Sequence, residues 1–232
     1  MDSSAALNAI AQRAPVGSGS GRWMVAVDGV GGSGKTTFAR ELAALIRGRP
    51  VIVLHADDFL NPASARHVRG PNSAEGFWLD AYNYPALLDR ALLPLRSGAS
   101  TFAASAIDHA TGEVIEPDLT PAPPDAVIIT EGTFLLRDEL VDVWDHSIYL
   151  DVDLNEATRR LAQRNRLPQD SPKLARYTGA QRRYFAEARP WLRASTVIDN
   201  STPGAPRQIA AGAARAAMDH RRGPTSPDSS QT

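Results

Sequence analysis

The sequence predicts an α/β fold in which a parallel sheet lies between two layers of helices. Short apolar segments alternate along the chain with segments of helical periodicity, the order that is typical of doubly wound folds. The apolar segments also lack strict polar–apolar alternation, which indicates strands buried on both faces. The predicted strands are residues 23–27, 51–56, 126–132, 147–153 and 195–200. The predicted helices are residues 35–47, 85–97, 136–143, 154–166 and 178–189.

A glycine-rich segment joins the first predicted strand to the first long helix. Residues 29–36 read GVGGSGKT and match the pattern G-x-x-x-x-G-K-[ST] at every fixed position. A loop of this kind places backbone N–H groups around a phosphate chain at the positive end of a helix. The strand–loop–helix context is the one that the pattern requires. The segment therefore predicts a phosphate-binding site, with a simple glycine-rich turn as the alternative.

Each position of this loop has an expected role. Lys35 would reach the β- and γ-phosphates of a nucleotide, and the Thr36 hydroxyl would ligate magnesium. The glycines would let the backbone approach the phosphates without a Cβ in the way, and Ser33 and Thr37 would add hydrogen bonds. The nucleotide-binding candidates are Gly29, Gly31, Gly32, Ser33, Gly34, Lys35, Thr36 and Thr37.

One connection between strands is much longer than a simple crossover. About 70 residues separate the second predicted strand from the third, whereas most connections in compact domains are a few residues long. This stretch contains the aromatic segment 76–85, a helix after Pro85 and a predicted hairpin around 106–114. We interpret residues of about 60–120 as an inserted substrate lobe.

Acidic residues follow the ends of several predicted strands, at the sheet edge where ligands of α/β folds bind. Asp28 ends the first strand, Asp57 and Asp58 follow the second, and Glu131 ends the third. Asp57 is the candidate general base for an acceptor hydroxyl, and Glu131 and Asp58 are candidate magnesium residues. The alternative for each carboxylate is a cap of the turn that follows the strand.

A basic helix is predicted after the fourth strand. Arg160 and Arg164 lie one helical turn apart on the same face, where they could stabilise the charge of a transferring phosphoryl group. The alternative is a solvated helix in which Glu156 pairs with Arg160. Because prolines interrupt the sequence that follows, we interpret residues of about 156–176 as a lid over the phosphates.

Composition excludes several classes of protein. The chain has 232 residues and a formal net charge of −1, so it has no bulk attraction for nucleic acid or anionic membranes. It contains no cysteine, which excludes disulfides and thiolate metal sites. No apolar run approaches the roughly 18 residues of a membrane helix, and the N-terminus does not resemble a secretory signal. We expect a cytoplasmic protein without nucleic-acid or membrane partners. Whether the chain forms a homo-oligomer is left open by the sequence.

Both ends of the chain are expected to lie outside the main domain, residues 22–206. Residues 1–21 are interpreted as an extension, with a short helix followed by a linker. Residues 206–222 favour a final alanine-rich helix, and residues 223–232 have the composition of a disordered tail.

Several of these segments together resemble a known family. The ordered set DGVGGSGKTTFA, HADDF, VIITEGTFLL and SIYLDVDLNEATRRLAQRN is similar to the uridine kinase and phosphoribulokinase family of P-loop kinases. Later segments look like bacterial uridine-kinase-like proteins, and the resemblance covers residues 22–206. It implies a P-loop NTPase fold with a five-stranded parallel sheet. It also implies ATP or GTP with Mg²⁺ as cofactors and transfer of the γ-phosphate to a hydroxyl of a small molecule.

The resemblance also assigns residues by position. It implies that Asp57 is the base, that Glu131 is linked to the metal, and that Arg160 and Arg164 are the lid arginines. The residues expected to bind the acceptor are Asp57, Asn83, Tyr84, Asp108 and Arg137.

The acceptor pocket departs from the pattern of pyrimidine nucleoside kinases. Asn83 stands where those kinases have an aspartate for the ribose, Ile107 replaces a tyrosine that contacts the base, and Asn165 replaces an aspartate of the lid. We expect a nucleoside such as uridine or cytidine as the acceptor. The alternatives are a non-nucleoside acceptor, such as a vitamin precursor or secondary metabolite, and a nucleotide-binding regulatory protein without turnover.

Overall fold

The computed structural model describes residues 5–15 and 21–217. The strands are β1 Trp23–Gly29, β2 Val51–His55, β3 Thr101–Ala103, β4 Leu119–Pro121, β5 Val127–Gly132, β6 His146–Asp151, β7 Thr196–Asp199 and β8 Arg207–Ile209. The α-helices are α1 Ala5–Ala11, α2 Lys35–Leu45, α3 Ala63–Arg66, α4 Ala74–Asp80, α5 Tyr84–Leu87, α6 Leu93–Arg96, α7 Leu154–Asn165, α8 Pro172–Ala188 and α9 Pro190–Arg193. A π-helical turn, Leu88–Leu92, joins α5 to α6 into one helical stretch.

The central sheet has the strand order β2-β5-β1-β6-β7-β8. Its first five strands are parallel, and β8 pairs antiparallel with β7 at one edge. The five parallel strands are those that the sequence predicts, so the α/β fold with a parallel sheet is confirmed. No helix within the described ranges is long and apolar enough to span a bilayer.

Helices cover both faces of the sheet, which explains why its parallel strands are mainly apolar. Side chains of β1 alternate between two separate cores: Val25 and Val27 join the core of α1 and α2, whereas Met24 and Ala26 join the core of the insert, α8 and α9. Since both faces of β1 are buried, residues 23–27 are all apolar, and the buried Asp28 near the end of the strand is an exception.

The insert between β2 and β5 carries the predicted hairpin. β3 pairs antiparallel with β4, and Ile107 pairs with Val114 within the connection between them. The chain before this hairpin is helical, from α3 to α6. The insert extends along the sheet: Phe77 and Tyr82 reach the edge where the glycine-rich loop lies, whereas Leu95 and Ala122 bind Arg22 at the amino end of β1.

The predicted helix at residues 136–143 is wrong. Only a 3-10 turn, Val141–Val143, forms there. The reason is a buried carboxylate: Asp28 accepts hydrogen bonds from the backbone N–H groups of Phe134 (3.2 Å) and Leu136 (3.3 Å), which hold the segment in an irregular turn. The Tyr184 hydroxyl of α8 also donates to Asp28. Asp28 thus joins β1, the turn after β5 and α8.

The predicted helix over residues 206–222 is wrong up to residue 214, whereas residues 215–217 are helical. Residues 207–209 form β8, and a single 3-10 turn, Ala211–Ala213, follows. Arg207 and Arg215 both form ion pairs with Asp199 of β7, which fixes this segment along the edge of the sheet. The remainder of the predicted helix and the predicted tail lie outside the described residues.

The predicted N-terminal helix forms, and it is part of the core. α1 places Leu7 and Ile10, both buried, in the same core as Phe38 and Leu42 of α2. Most of the predicted linker lies outside the described residues.

Candidate active site

The glycine-rich loop lies between the end of β1 and the first turn of α2, and its shape depends on glycine. Gly32 and Gly34 have φ of 87° and 90°, in the left-handed region that side chains disfavour. A Cβ on Gly32 would overlap the backbone carbonyl of Ala157 in α7, and one on Gly34 would come within 2.9 Å of the Asn200 side chain. The loop is therefore packed tightly against its neighbours.

The loop opens into a cleft of about 740 Å³ between α2, the insert, α7 and α8. Gly31, Gly32, Gly34, Lys35, Thr36 and Thr37 line it. Gly29 is the last residue of β1 and does not line the cleft, and the buried Ser33 hydroxyl has no hydrogen-bond partner in the described structure. Six of the eight residues predicted to bind the nucleotide therefore line one cavity.

Lys35 extends along the loop and donates a hydrogen bond to the Val30 carbonyl at 3.1 Å. Burial lowers the pKa of its ammonium group, whereas the nearby carboxylates of Glu131, Asp57 and Asp28 act in the opposite direction. A cation in this position, among N–H groups at a helix start, is suited to a polyphosphate.

Thr36 and Glu131 bring two oxygen ligands together. The Thr36 hydroxyl donates to Glu131 Oε1 at 2.9 Å, and His55 Nδ1 lies 2.7 Å from the same oxygen. A hydroxyl and a carboxylate are hard oxygen donors of the kind that Mg²⁺ binds alongside phosphate oxygens. These two residues therefore fit a magnesium site.

Asp58 is not part of that pair. Its carboxylate lies 2.7 Å from His109 Nε2 in the hairpin connection, and Asp58 does not line the cleft. The two adjacent aspartates point to different partners because they follow β2 in a 3-10 turn, Ala56–Phe59.

Asp57 lies in the cleft, on the same wall as Glu131. The Tyr82 hydroxyl donates a hydrogen bond to Asp57 Oδ1 at 2.9 Å. This bond leaves the second carboxylate oxygen available to accept a proton. Burial raises the pKa of Tyr82 well above its ordinary value, and the negative charge of Asp57 adds to the effect, so Tyr82 stays a donor.

The two arginines that were predicted to belong to a lid, Arg160 and Arg164, differ in their partners. Arg160 donates to Glu156 Oε1 at 2.8 Å and to the backbone carbonyls of Asn200 and Ser201, so it ties α7 to the chain after β7. This is the pairing with Glu156 that the sequence left as an alternative. Arg164 lines the cleft and pairs with no carboxylate in the described part of the chain. Arg164 is the arginine of the pair that is free to meet a ligand.

Tyr84 and Arg137 form a buried cluster outside the cleft. The Arg137 guanidinium donates to both Glu139 carboxylate oxygens and to the Trp78 carbonyl, and it stacks 4.0 Å from the centre of the Trp78 ring. The Tyr84 hydroxyl lies 3.4 Å from Arg137 Nη1. Neither residue lines the cleft, because these contacts use their polar groups.

Asn83 and Asp108 are also engaged in local structure. The Asn83 side chain accepts from the Ala86 N–H and caps α5. Asp108 Oδ1 accepts from the N–H groups of Ala110 and Thr111 and shapes the hairpin turn. Of the five residues predicted to bind the acceptor, the structure brings only Asp57 into the cleft.

Several residues that line the cleft were not predicted from the sequence. They are Arg40, Leu60, Arg66, His67, Phe77, Tyr82, Thr133, Lys173, Arg176, Tyr177 and Gln181. The segment RYTGAQ, residues 176–181, held a signal: Tyr177 and Gln181 lie one turn apart and share a helix face. Which face of α8 turns to the cleft depends on its packing against α4, which the sequence alone does not show.

Comparisons with known proteins agree with this fold and loop. A model of the Phosphoribulokinase / Uridine kinase family matches residues 24–167. Human nicotinamide riboside kinase 1 is 28% identical over 151 residues, which cover 65% of this chain and 69% of that protein.

Two solved structures also resemble the chain. A possible uridine kinase from Bacillus stearothermophilus has a TM-score of 0.66 at 24% identity and covers 83% of this chain and 97% of its own. A candidate fructose transport system kinase from Silicibacter sp. TM1040 has a TM-score of 0.62 at 26% identity and covers 81% of this chain and 94% of its own. Because the family model matches more than half of the sequence, the chain belongs to the phosphoribulokinase and uridine kinase family.

Proposed function

We propose that this protein, a small-molecule kinase by family, transfers the γ-phosphoryl group of ATP to a hydroxyl group of an acceptor bound in the cleft. One observation carries the proposal: Lys35, Thr36, Glu131 and Asp57 line the same cavity. A phosphate-binding loop, a pair of oxygen ligands for a metal and a carboxylate base are the parts that phosphoryl transfer to an alcohol requires.

The donor side of the cleft is built for a triphosphate. The N–H groups at the start of α2 and the Lys35 ammonium would hold the β- and γ-phosphates. Thr36 and Glu131 would hold Mg²⁺, which neutralises charge on the phosphates when bound.

On the acceptor side, Asp57 would take the proton of the attacking hydroxyl. The acceptor oxygen forms a bond to the γ-phosphorus as the bond from that phosphorus to the bridging oxygen breaks, and ADP leaves. Tyr82 would hold the Asp57 carboxylate in one orientation through its hydrogen bond. Arg164, which lacks a carboxylate partner, would meet the charge on the transferring group.

A nucleoside such as uridine or cytidine is the acceptor that the family resemblance suggests first. A second candidate is a hydroxylated acceptor that is not a nucleoside. The engagement of Asn83 and Asp108 in a helix cap and a turn favours the second candidate, because these positions were expected to contact ribose and base. The two candidates share the donor site and the base.

The proposal is tested by an acceptor screen that reads ADP release. The purified chain is offered Mg·ATP with nucleosides and small alcohols. We expect ADP release with at least one acceptor, loss of that signal in Lys35→Ala, and a decrease of about 10²-fold or more in Asp57→Asn. Asp89→Asn, an exposed position of the insert, is the matched control. ATP binding without product from any acceptor would favour a regulatory nucleotide-binding protein instead.

A further inference from the structure

We propose that the acceptor carries an anionic group, a phosphate or a carboxylate, which Arg66 and Arg176 bind on the insert side of the cleft. The inference rests on the proposed function, because it concerns the acceptor of the same site. It names a chemical class that neither the glycine loop nor Asp57 specifies.

Arg176 is a buried cation that lacks a full set of partners. The residue is 5% exposed and lines the cleft from α8. Its Nη1 donates to the Pro71 carbonyl at 2.8 Å, and its guanidinium carbon lies 4.9 Å from the centre of the Phe77 ring. Its Nε is buried and has no hydrogen-bond partner among the described residues. Burying a charge is costly unless that charge is paired and hydrogen-bonded, so a partner is missing.

Arg66 and His67 place further positive or donor groups beside it. Arg66 ends α3, lines the cleft, and has a buried Nε with no hydrogen-bond partner in the part of the chain that the structure describes. All four of His67, Arg66, Lys173 and Arg176 line the cleft, and the positive charges of the other three add to the effect of burial in lowering the pKa of His67. Like charges that converge without a carboxylate are typical of an anion site.

The charges of the whole cleft are unbalanced. Seven Lys and Arg residues line it, whereas Asp57 and Glu131 are its carboxylates in the described structure. Arg66, Lys173 and Arg176 form no ion pair with an acidic residue within the described ranges. A neutral or cationic acceptor would leave these three positively charged side chains without a counter-charge.

The position of the cluster favours the acceptor over ATP as its partner. Arg66 and His67 belong to the insert, and Arg176 is anchored to the insert through Pro71 and Phe77. Arg176 is also near enough to Tyr82 to interact with it electrostatically, and Tyr82 binds Asp57. An anion bound by Arg66 and Arg176 would lie on the Asp57 side of the cleft, whereas the glycine loop would hold the phosphates of ATP.

The buried Gln181 adds a neutral polar group to the same wall. It is 3% exposed, it lines the cleft from α8, and its Oε1 has no hydrogen-bond partner within residues 5–15 and 21–217. An acceptor with both a hydroxyl and an anionic group would satisfy Gln181 and the arginines together.

The experiment measures the unfolding temperature of the full chain. The protein is first saturated with Mg²⁺ and the non-hydrolysable analogue AMP-PNP, which occupies the glycine loop. Inorganic phosphate or acetate is then added, with chloride at the same ionic strength as the reference. We expect phosphate, acetate or both to raise the unfolding temperature of the wild type. A response to phosphate alone assigns a phosphate ester, and a response to acetate alone assigns a carboxylate.

Variants identify the site. Arg66→Met and Arg176→Met should raise the apparent Kd of the anion by about tenfold or more, as expected for loss of a charge-assisted hydrogen bond. Arg182→Met removes the same charge from an exposed position of α8 outside the cleft and should leave it unchanged. Arg66 is only partly buried, so Arg66→Met keeps the test decisive if Arg176→Met does not fold.

Two outcomes would overturn the proposal. Either neither anion stabilises protein that AMP-PNP does stabilise, or the anion acts equally on the wild type and Arg66→Met. Failure of the proposed function is a separate observation: either AMP-PNP leaves the unfolding temperature unchanged, or AMP-PNP binds and the acceptor screen releases no ADP with any acceptor.

Discussion

The Tyr82 hydroxyl donates to Asp57 Oδ1 at 2.9 Å and links the insert to the end of β2. This contact joins two residues 25 positions apart and makes the geometry of the candidate base depend on the insert. Isolated carboxylates at strand ends rotate freely, whereas this one is held by a buried phenol. Placement of the insert and alignment of the base are therefore coupled.

Replacing Tyr82 with phenylalanine should slow turnover and leave donor binding intact. The variant removes one hydrogen bond, so we expect kcat to fall by about tenfold, with the KM for ATP changed less than about twofold. Tyr84→Phe is the matched control, because Tyr84 is equally buried but does not line the cleft. Steady-state kinetics of both variants check the prediction. A rise in the KM for ATP with unchanged kcat would contradict it.

Glu131→Gln should weaken the response to magnesium. The substitution keeps the shape of the side chain but removes the charge that accompanies the Thr36 hydroxyl. We expect the Mg²⁺ concentration for half-maximal activity to rise by about tenfold. Glu139→Gln, whose carboxylate binds Arg137 away from the cleft, serves as the control. Identical magnesium curves for Glu131→Gln and wild type would remove Glu131 from the metal site.

Gly32→Ala should disturb both stability and nucleotide binding. Alanine at this position would have to adopt the left-handed backbone conformation of Gly32, and its Cβ would also overlap the Ala157 carbonyl of α7. Gly48 is the matched position: its φ is +74°, but nothing lies within 4 Å of an added Cβ. We expect Gly48→Ala to cost about 1 kcal/mol of unfolding free energy and Gly32→Ala clearly more. Urea unfolding measures the cost, and equal losses in the two variants would show that the contact with α7 is unimportant.

The buried Asp28 should make stability fall with rising pH. Burial raises the pKa of its carboxyl to about 6, so the folded chain binds this proton more tightly than the unfolded chain does. Its contribution is full below pH 4 and is lost as pH rises through 6, by about 3 kcal/mol. Asp28→Asn cannot ionise, so its unfolding free energy relative to wild type should increase by that amount between pH 4 and pH 7. Urea unfolding at each pH gives the difference, and parallel pH profiles would contradict the prediction.

The parts of the fold that the sequence predicted are those with local signals. The five parallel strands are continuous apolar segments, and the glycine loop is specified by a pattern of eight consecutive residues. Asp57 and Glu131 could be assigned because parallel strands deliver their ends to one edge of the sheet. Their convergence on one cleft follows from that topology.

The remaining features depend on contacts between distant segments. Residues 136–143 look helical, but hydrogen bonds to Asp28 hold their first part in a turn. Arg137 looks like a ligand, but Trp78 and Glu139 use its guanidinium. Arg176 belongs to the cleft only because α8 packs against α4 with that face inward. No local pattern in the sequence distinguishes these arrangements from their alternatives.

The docking of α1 has a practical consequence for how the chain can be shortened. Leu7 and Ile10 share a core with Phe38 and Leu42, and Arg49 donates to the carbonyls of Pro15 and Gly21. A truncated chain that starts at β1 would expose the apolar back of the helix that carries the glycine loop. Such a chain would be prone to self-association, and a loss of activity in it would report damaged scaffolding rather than a missing catalytic group.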